Sequence, residues 1–199
     1  MKYHLFIKLF LIQAIISSPV EANSIKLGLG SCLDQDFPQP IWNSIEKENL
    51  NYFIFLGDNV YGDSPDGKLD KLKYAYKKQE SLLPNFLNDI NVLSIWDDHD
   101  YGLNDGGRSY SFKKESQKMF LDFWEIPSDD MRSSREGIYF SQSKNFFNKK
   151  FKLIFLDTRY FRSPLLGPKG KYLKNKSTDS TILGICLLYT SPSPRDCRL

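Results

Sequence analysis

The chain has 199 residues, enough for one domain with a hydrophobic core. A hydrophobic fraction of 41% and a charged fraction of 26% are ordinary for a globular protein. A formal charge of +3 is too small to argue for a nucleic-acid partner or an anionic membrane surface. Residues 1–22 read as a secretory signal peptide. Lys2 gives the positive start, Leu5 to Ile16 is mostly apolar, Ser17-Ser18-Pro19 breaks the helix, and Val20-Glu21-Ala22 fits a cleavage site. The alternative is an uncleaved anchor, but the apolar stretch is shorter than the roughly 20 residues that span a bilayer. The expected mature protein is exported, to a periplasm or outside the cell, with no stable membrane span.

Ser24 to Cys32 is predicted as a first strand ending in small residues. Pro38 to Asn49 reads as a helix, with Ile41, Trp42 and Ile45 at helical spacing. Asn51 to Leu56 is an apolar run of strand length. Ser64-Pro65-Asp66-Gly67 is a turn, and Leu69 to Leu87 is predicted as one long helix interrupted near Pro84. Asn91 to Trp96 is a third strand, followed by a loop over Gly102 to Gly107. Ser109 to Trp124 reads as a helix with an aromatic core face. Gly137 to Ser141 and Lys152 to Leu156 are two more strands, connected by Asn145 to Lys150 with hairpin character. Phe161 to Ser180 is turn-rich. Strands alternating with helices predict an α/β layered domain.

The tail is of another kind. Residues 186–199 resemble a reading frame through the transposon adaptor of a sequencing library, and are expected to be an artefact that truncates the gene product. Without the two ends the net charge is +1, Cys32 is the one cysteine left, and His99 is the one histidine. No intrachain disulfide is then possible, so Cys32 is a metal ligand, a reactive thiol or a buried residue.

The stretch that organises the chain is Asn51 to Leu56 followed by Gly57-Asp58-Asn59-Val60-Tyr61-Gly62-Asp63. A buried strand that stops at a glycine and delivers an acid at its carboxyl end is a common way to build an α/β site. Similar exits recur at Trp96-Asp97-Asp98-His99 and Leu156-Asp157-Thr158-Arg159. The strand ends put Cys32, Asp58 with Tyr61, and Asp97-Asp98-His99 on one expected sheet edge. Thiolate and phenolate favour iron or zinc, and carboxylates also accept calcium, magnesium or manganese. A histidine beside two carboxylates is placed to be a protonated general acid. Each residue also has a structural reading: Cys32 as a buried small hydrophobe, Asp97 and Asp98 as caps, and His99 as a structural hydrogen bonder.

Gly30-Ser31-Cys32, Leu56 to Tyr61, Trp96 to Gly102 and Leu156 to Arg162 resemble, in order, the motifs of the alkaline phosphatase D (PhoD-like) metallophosphatases. The resemblance implies a domain over residues 23–185. It implies the N-terminal portion only of a calcineurin-like α/β/β/α sandwich. It also implies a metal-dependent hydrolase of phosphomonoesters and phosphodiesters that uses iron with calcium. Cys32 would then ligate iron, Asp58 bridge the metals, and Tyr61 be the phenolate ligand. Asp98, with Asp97 as second choice, would hold the other metal. His99 would be the acid for the leaving alcohol, and Arg159 would clamp phosphate oxygens. Asp157 would support its loop. The family's distal ligands include a histidine, and this chain has none after His99. The expectation is therefore an active full-length protein and an inactive truncated chain. The competing expectations are a non-catalytic binding module or pseudoenzyme on the same fold, and a redox protein using Cys32.

Overall fold

The computed structural model describes residues 24–146 and 149–164. The expected signal peptide, the turn-rich stretch beyond residue 164 and the adaptor-like tail lie outside the described residues.

Three strands, β1 (Leu27–Gly30), β2 (Tyr52–Phe55) and β3 (Asn91–Ser94), form a parallel sheet with β2 in the middle. Leu27 pairs with Tyr52 and Leu29 with Ile54; Phe53 pairs with Val92 on the other side. Parallel neighbours need crossovers. The first crossover contains α1 (Trp42–Ile45) and a 3-10 turn over Glu46–Glu48. The second contains α2 (Asp70–Glu80) and a 3-10 turn over Asn85–Asp89. All four residues of β2 are buried, as expected for a strand covered on both faces. Phe53 and Phe55 pack with Trp42 and Leu87, and the Trp42 and Phe53 ring centroids are 5.3 Å apart. Each fully buried aromatic of this kind stabilises by about 2 kcal/mol.

The opposite face meets an antiparallel hairpin, β4 (Phe140–Phe146) and β5 (Lys149–Phe155). Tyr52 touches Phe151 edge-on at 6.4 Å, and Ile54 shares a core with Phe155, Trp96, Tyr101 and Tyr160. Helix α4 (Lys113–Phe123) supplies Phe120 and Leu121 to that core. From the same helix, Met119 and Phe123 pack against Leu72, Ala75 and Tyr76, the latter three from α2. Two single-turn helices, α3 (Asp98–Tyr101) and α5 (Met131–Ser134), complete the described elements. The fold is mixed α/β, with a parallel sheet between helices and a hairpin.

Several elements differ in extent from the sequence reading. The helix predicted over Leu69 to Leu87 stops at Glu80, and Pro84 is extended with ψ 148°. A proline disfavours the helical conformation in the residue before it, so α2 could not run on. The first predicted helix is one α-turn and one 3-10 turn, and the helix predicted from Ser109 begins at Lys113. The strand predicted over Gly137 to Ser141 begins at Phe140 and runs on through Phe146, and its partner starts earlier than expected, at Lys149. Among the described residues no helix is long and apolar enough to cross a membrane.

Candidate metal centre

Parallel strands leave the sheet at one edge, so the loops after β1, β2 and β3 meet there. They are laced together. Cys32 N–H donates to the Gly57 carbonyl at 3.2 Å, Leu33 N–H to that of Asp58 at 2.8 Å, and Gly62 N–H to that of His99 at 3.3 Å. Gly57 has φ 108°, and a Cβ there would lie 2.7 Å from Asp97 Cβ and 2.8 Å from Asp97 N. Only glycine lets the β2 exit pass so close to the β3 exit. Cys32 (φ 59°) and Asp58 (φ 51°) are both left-handed. Each such residue costs about 1–2 kcal/mol, and strain of this kind gathers at functional sites.

The side chains converge. Cys32 Sγ is 3.6 Å from Asp58 Oδ2, and the cysteine is exposed rather than a buried hydrophobe. One ligand atom from each of Asp58, Asp98 and His99 lies within 4.8 Å of the others. The backbone N–H of His99 points at Asp58 Oδ1 at 3.4 Å. The backbone of Tyr61 is clamped by the buried amide of Gln35, which accepts from Tyr61 N at 2.8 Å and donates to its carbonyl at 3.4 Å. The Tyr61 ring in turn lies against the His99 ring, with centroids 4.4 Å apart and planes 32° apart.

Asp97 and Asp98 have other partners as well. Asp97 is the N-cap of α3 in a reciprocal box with Asp100, and its Oδ1 is 2.5 Å from Arg159 Nε. Asp98 Oδ2 accepts from Asp105 N at 2.7 Å, and its Oδ1 is 3.5 Å from Arg159 Nη2. Arg159 therefore sits on the Asp97 and Asp98 carboxylates. Asp157 is a loop hub, wholly buried, accepting from Trp96 Nε1 and from the backbone of Ile138, Arg159 and Tyr160, all at 2.9 Å.

Sequence reasoning gave no role to Asp63, whose Oδ1 is 2.5 Å from His99 Nδ1. Its place in the same loop, two residues after Tyr61, was the available signal. It also missed the buried pair of Asn59 and Asp100 beneath the site.

Burial raises the Asp58 carboxyl above its ordinary range, and repulsion from Asp97 and Asp98 adds to this against the opposing charge of His99. Burial, the hydrogen bond to Cys32 and the charges of Cys32, Asp58 and Asp34 push the Tyr61 phenol up. Burial pulls His99 down, but the Asp63 hydrogen bond and the charges of Asp63, Asp58 and Asp98 outweigh it, and the net shift is upward. Asp58 and Tyr61 are both harder to ionise here than in water, and a cation bound beside them would oppose that. The carboxylates of Asp58 and Asp98 suit calcium or another hard cation, and the Cys32 thiol beside Asp58 adds a donor that suits iron or zinc.

No family model matches the chain, and no curated protein does. A solved structure, the structure of PhoD, is similar over 70% of this chain and 32% of its own length, with a TM-score of 0.50 at 16% identity. The fold is thus PhoD-like: mixed α/β with a parallel sheet. The chain spans about a third of the length of that protein.

Proposed function

We propose that this fold serves a metal-dependent phosphoric ester hydrolase acting on monoesters and diesters. The observation that carries the reading is the convergence of the Asp58 and Asp98 carboxylates at the exit edge of the parallel sheet, with Cys32 beside Asp58 and His99 close by as the acid. Cys32, Asp58 and Tyr61 would hold one metal, taken to be iron. Asp98, with Asp97 as the lesser candidate, would hold a second, taken to be calcium. Metal bound there would lower the pKa of coordinated water and offset the charge of a phosphate.

The chain's own groups do the rest. His99 gives a proton to the leaving oxygen. Arg159, on Asp97 and Asp98, carries N–H donors that would pair with phosphate oxygens. Export through the N-terminal segment completes the proposal.

Two measurements test it. Calorimetric titration of iron, zinc and calcium into the chain should show binding that Asp58→Asn weakens. The complete gene product, read from source DNA and metallated, should release phosphate from nitrophenyl esters. That activity should disappear in Asp58→Asn and His99→Ala. A correctly metallated protein that hydrolyses neither monoester nor diester would overturn the reading in favour of a non-catalytic binding module.

A further inference from the structure

We propose that the lysine-bearing end of the β4–β5 hairpin docks on a phospholipid surface with anionic headgroups, through Lys144, Lys149, Lys150 and Lys152. The proposal goes beyond the hydrolase reading and does not depend on it. The formal charge of +3 is too small to imply such a partner by itself, but it is not spread evenly. Residues 137–156 hold these four lysines and no Asp, Glu or Arg, so they carry +4 and the rest of the chain −1.

The hairpin concentrates that charge. Lys150 pairs across it with Asn145, and Lys152 with Ser143, so no acid faces either lysine from the partner strand. Phe151, between them, packs against Tyr52 of β2, which turns Lys150 and Lys152 to the face away from the parallel sheet. Lys149, Lys150 and Lys152 are exposed and Lys144 is half-buried. Lys149 and Lys150 enter no ion pair among the described residues. Among those residues, Asp89 is the one acid lining the cleft at Lys144.

The placement favours lipid over a free polyanion. Ile25 lines the same cleft as Lys144 and Phe146, so the chain enters the fold at this end. The apolar run of Leu5 to Ile16 stands upstream, separated from Ile25 by residues 17–24, a reach of about 30 Å when extended. In the uncleaved chain an apolar segment and a basic patch would meet the lipid together, and two such signals hold a protein on a membrane where one does not. Asn51 and Asn91, at the entries of β2 and β3, line the cleft too, whereas Asp58 and Asp98 follow the exits of those strands. Docking at the entry end leaves the candidate metal centre at the far edge of the sheet from the lipid.

Co-sedimentation of the full chain with vesicles tests this, using phosphatidylcholine alone and an equal mixture with phosphatidylglycerol. The wild-type chain should bind the mixed vesicles more tightly, and added salt should erase most of the difference. Each lysine at an anionic surface is worth about fivefold in partitioning, so Lys149→Gln/Lys150→Gln/Lys152→Gln should bind them about a hundredfold more weakly. Lys73→Gln/Lys77→Gln/Lys114→Gln removes the same charge from exposed positions on α2 and α4 and should bind as the wild-type chain does. Equal loss in the two variants would show that net charge alone acts, and would overturn the proposal. So would equal wild-type binding to both kinds of vesicle, which assigns attachment to the N-terminal segment and needs no variant. Lysine-dependent binding of soluble heparin without binding to mixed vesicles would make the hairpin a polyanion site and overturn lipid docking.

Discussion

The Asp100 carboxylate accepts a hydrogen bond from Asn59 Nδ2 at 2.5 Å, and both side chains are buried beneath the strand exits. The same oxygen takes Asn59 N at 3.2 Å, and the other takes Asp97 N at 2.6 Å. Asp100 thus ties the loop after β2 to the turn after β3. Asp100→Ala would leave Asn59 N and Asp97 N without this acceptor and Asn59 Nδ2 with the Ile95 carbonyl alone, each lost partner costing about 1–3 kcal/mol. Urea unfolding should show a loss of about 3 kcal/mol or more. A loss below about 1 kcal/mol would mean that the two loops are held by something else.

Asp58→Asn should separate stability from metal binding. Because burial and the neighbouring carboxylates raise its folded pKa, Asp58 holds its proton more tightly in the folded chain than in the unfolded one. Its stabilising effect is present at low pH and is lost as pH rises through the folded value, so at neutral pH the ionised group works against the fold. Asparagine also tolerates the left-handed backbone that this position adopts. The metal-free variant should melt higher than the wild-type chain at pH 7, with the gain fading toward pH 3.8. Its metal affinity should fall at least about tenfold.

His99 gives the opposite dependence. Its folded pKa lies above the ordinary 6.5, so its contribution is complete below that value and is lost as pH rises through the folded pKa. The stability difference between the wild-type chain and His99→Gln should be widest below pH 6.5 and narrow steadily above it. Melting curves across pH 5.5 to about 9 would check this, and a difference that grows with pH would contradict it.

Arg159→Gln should raise cation affinity. The guanidinium lies against Asp97 and Asp98 and competes with any metal there. Its removal should tighten calcium binding by about fivefold. Inorganic phosphate should bind the metallated variant more weakly. If calcium binding weakens instead, Arg159 orients the carboxylates rather than competing for them.

The sheet was legible in the sequence because β2 is continuously apolar and its exit is marked by Gly57 and Asp58. From that, three parallel exits and their shared edge followed. The single turns α3 and α5 were not legible, since four residues are too few for a helical period to show. The length of α2 was overread because Leu82, Leu83 and Leu87 continue its apolar spacing beyond Glu80, where it stops. Within the site, the residue types could be assigned to an edge, but not their partners. That Arg159 sits on Asp97, and Asp63 on His99, depends on contacts 62 and 36 residues apart in sequence. Local pattern carries no trace of such pairings.

Leu27 and Leu29 lie on the face of the sheet shared with Ile54, yet are 42% and 62% exposed, and β1 is paired only with β2 among the described residues. A bare, greasy border of this sort invites another strand. Cys32 follows it by two residues. Any clumping that begins along this border would shield the thiol, so the speed of a thiol dye's colour change, followed against protein concentration, doubles as a gauge of self-association.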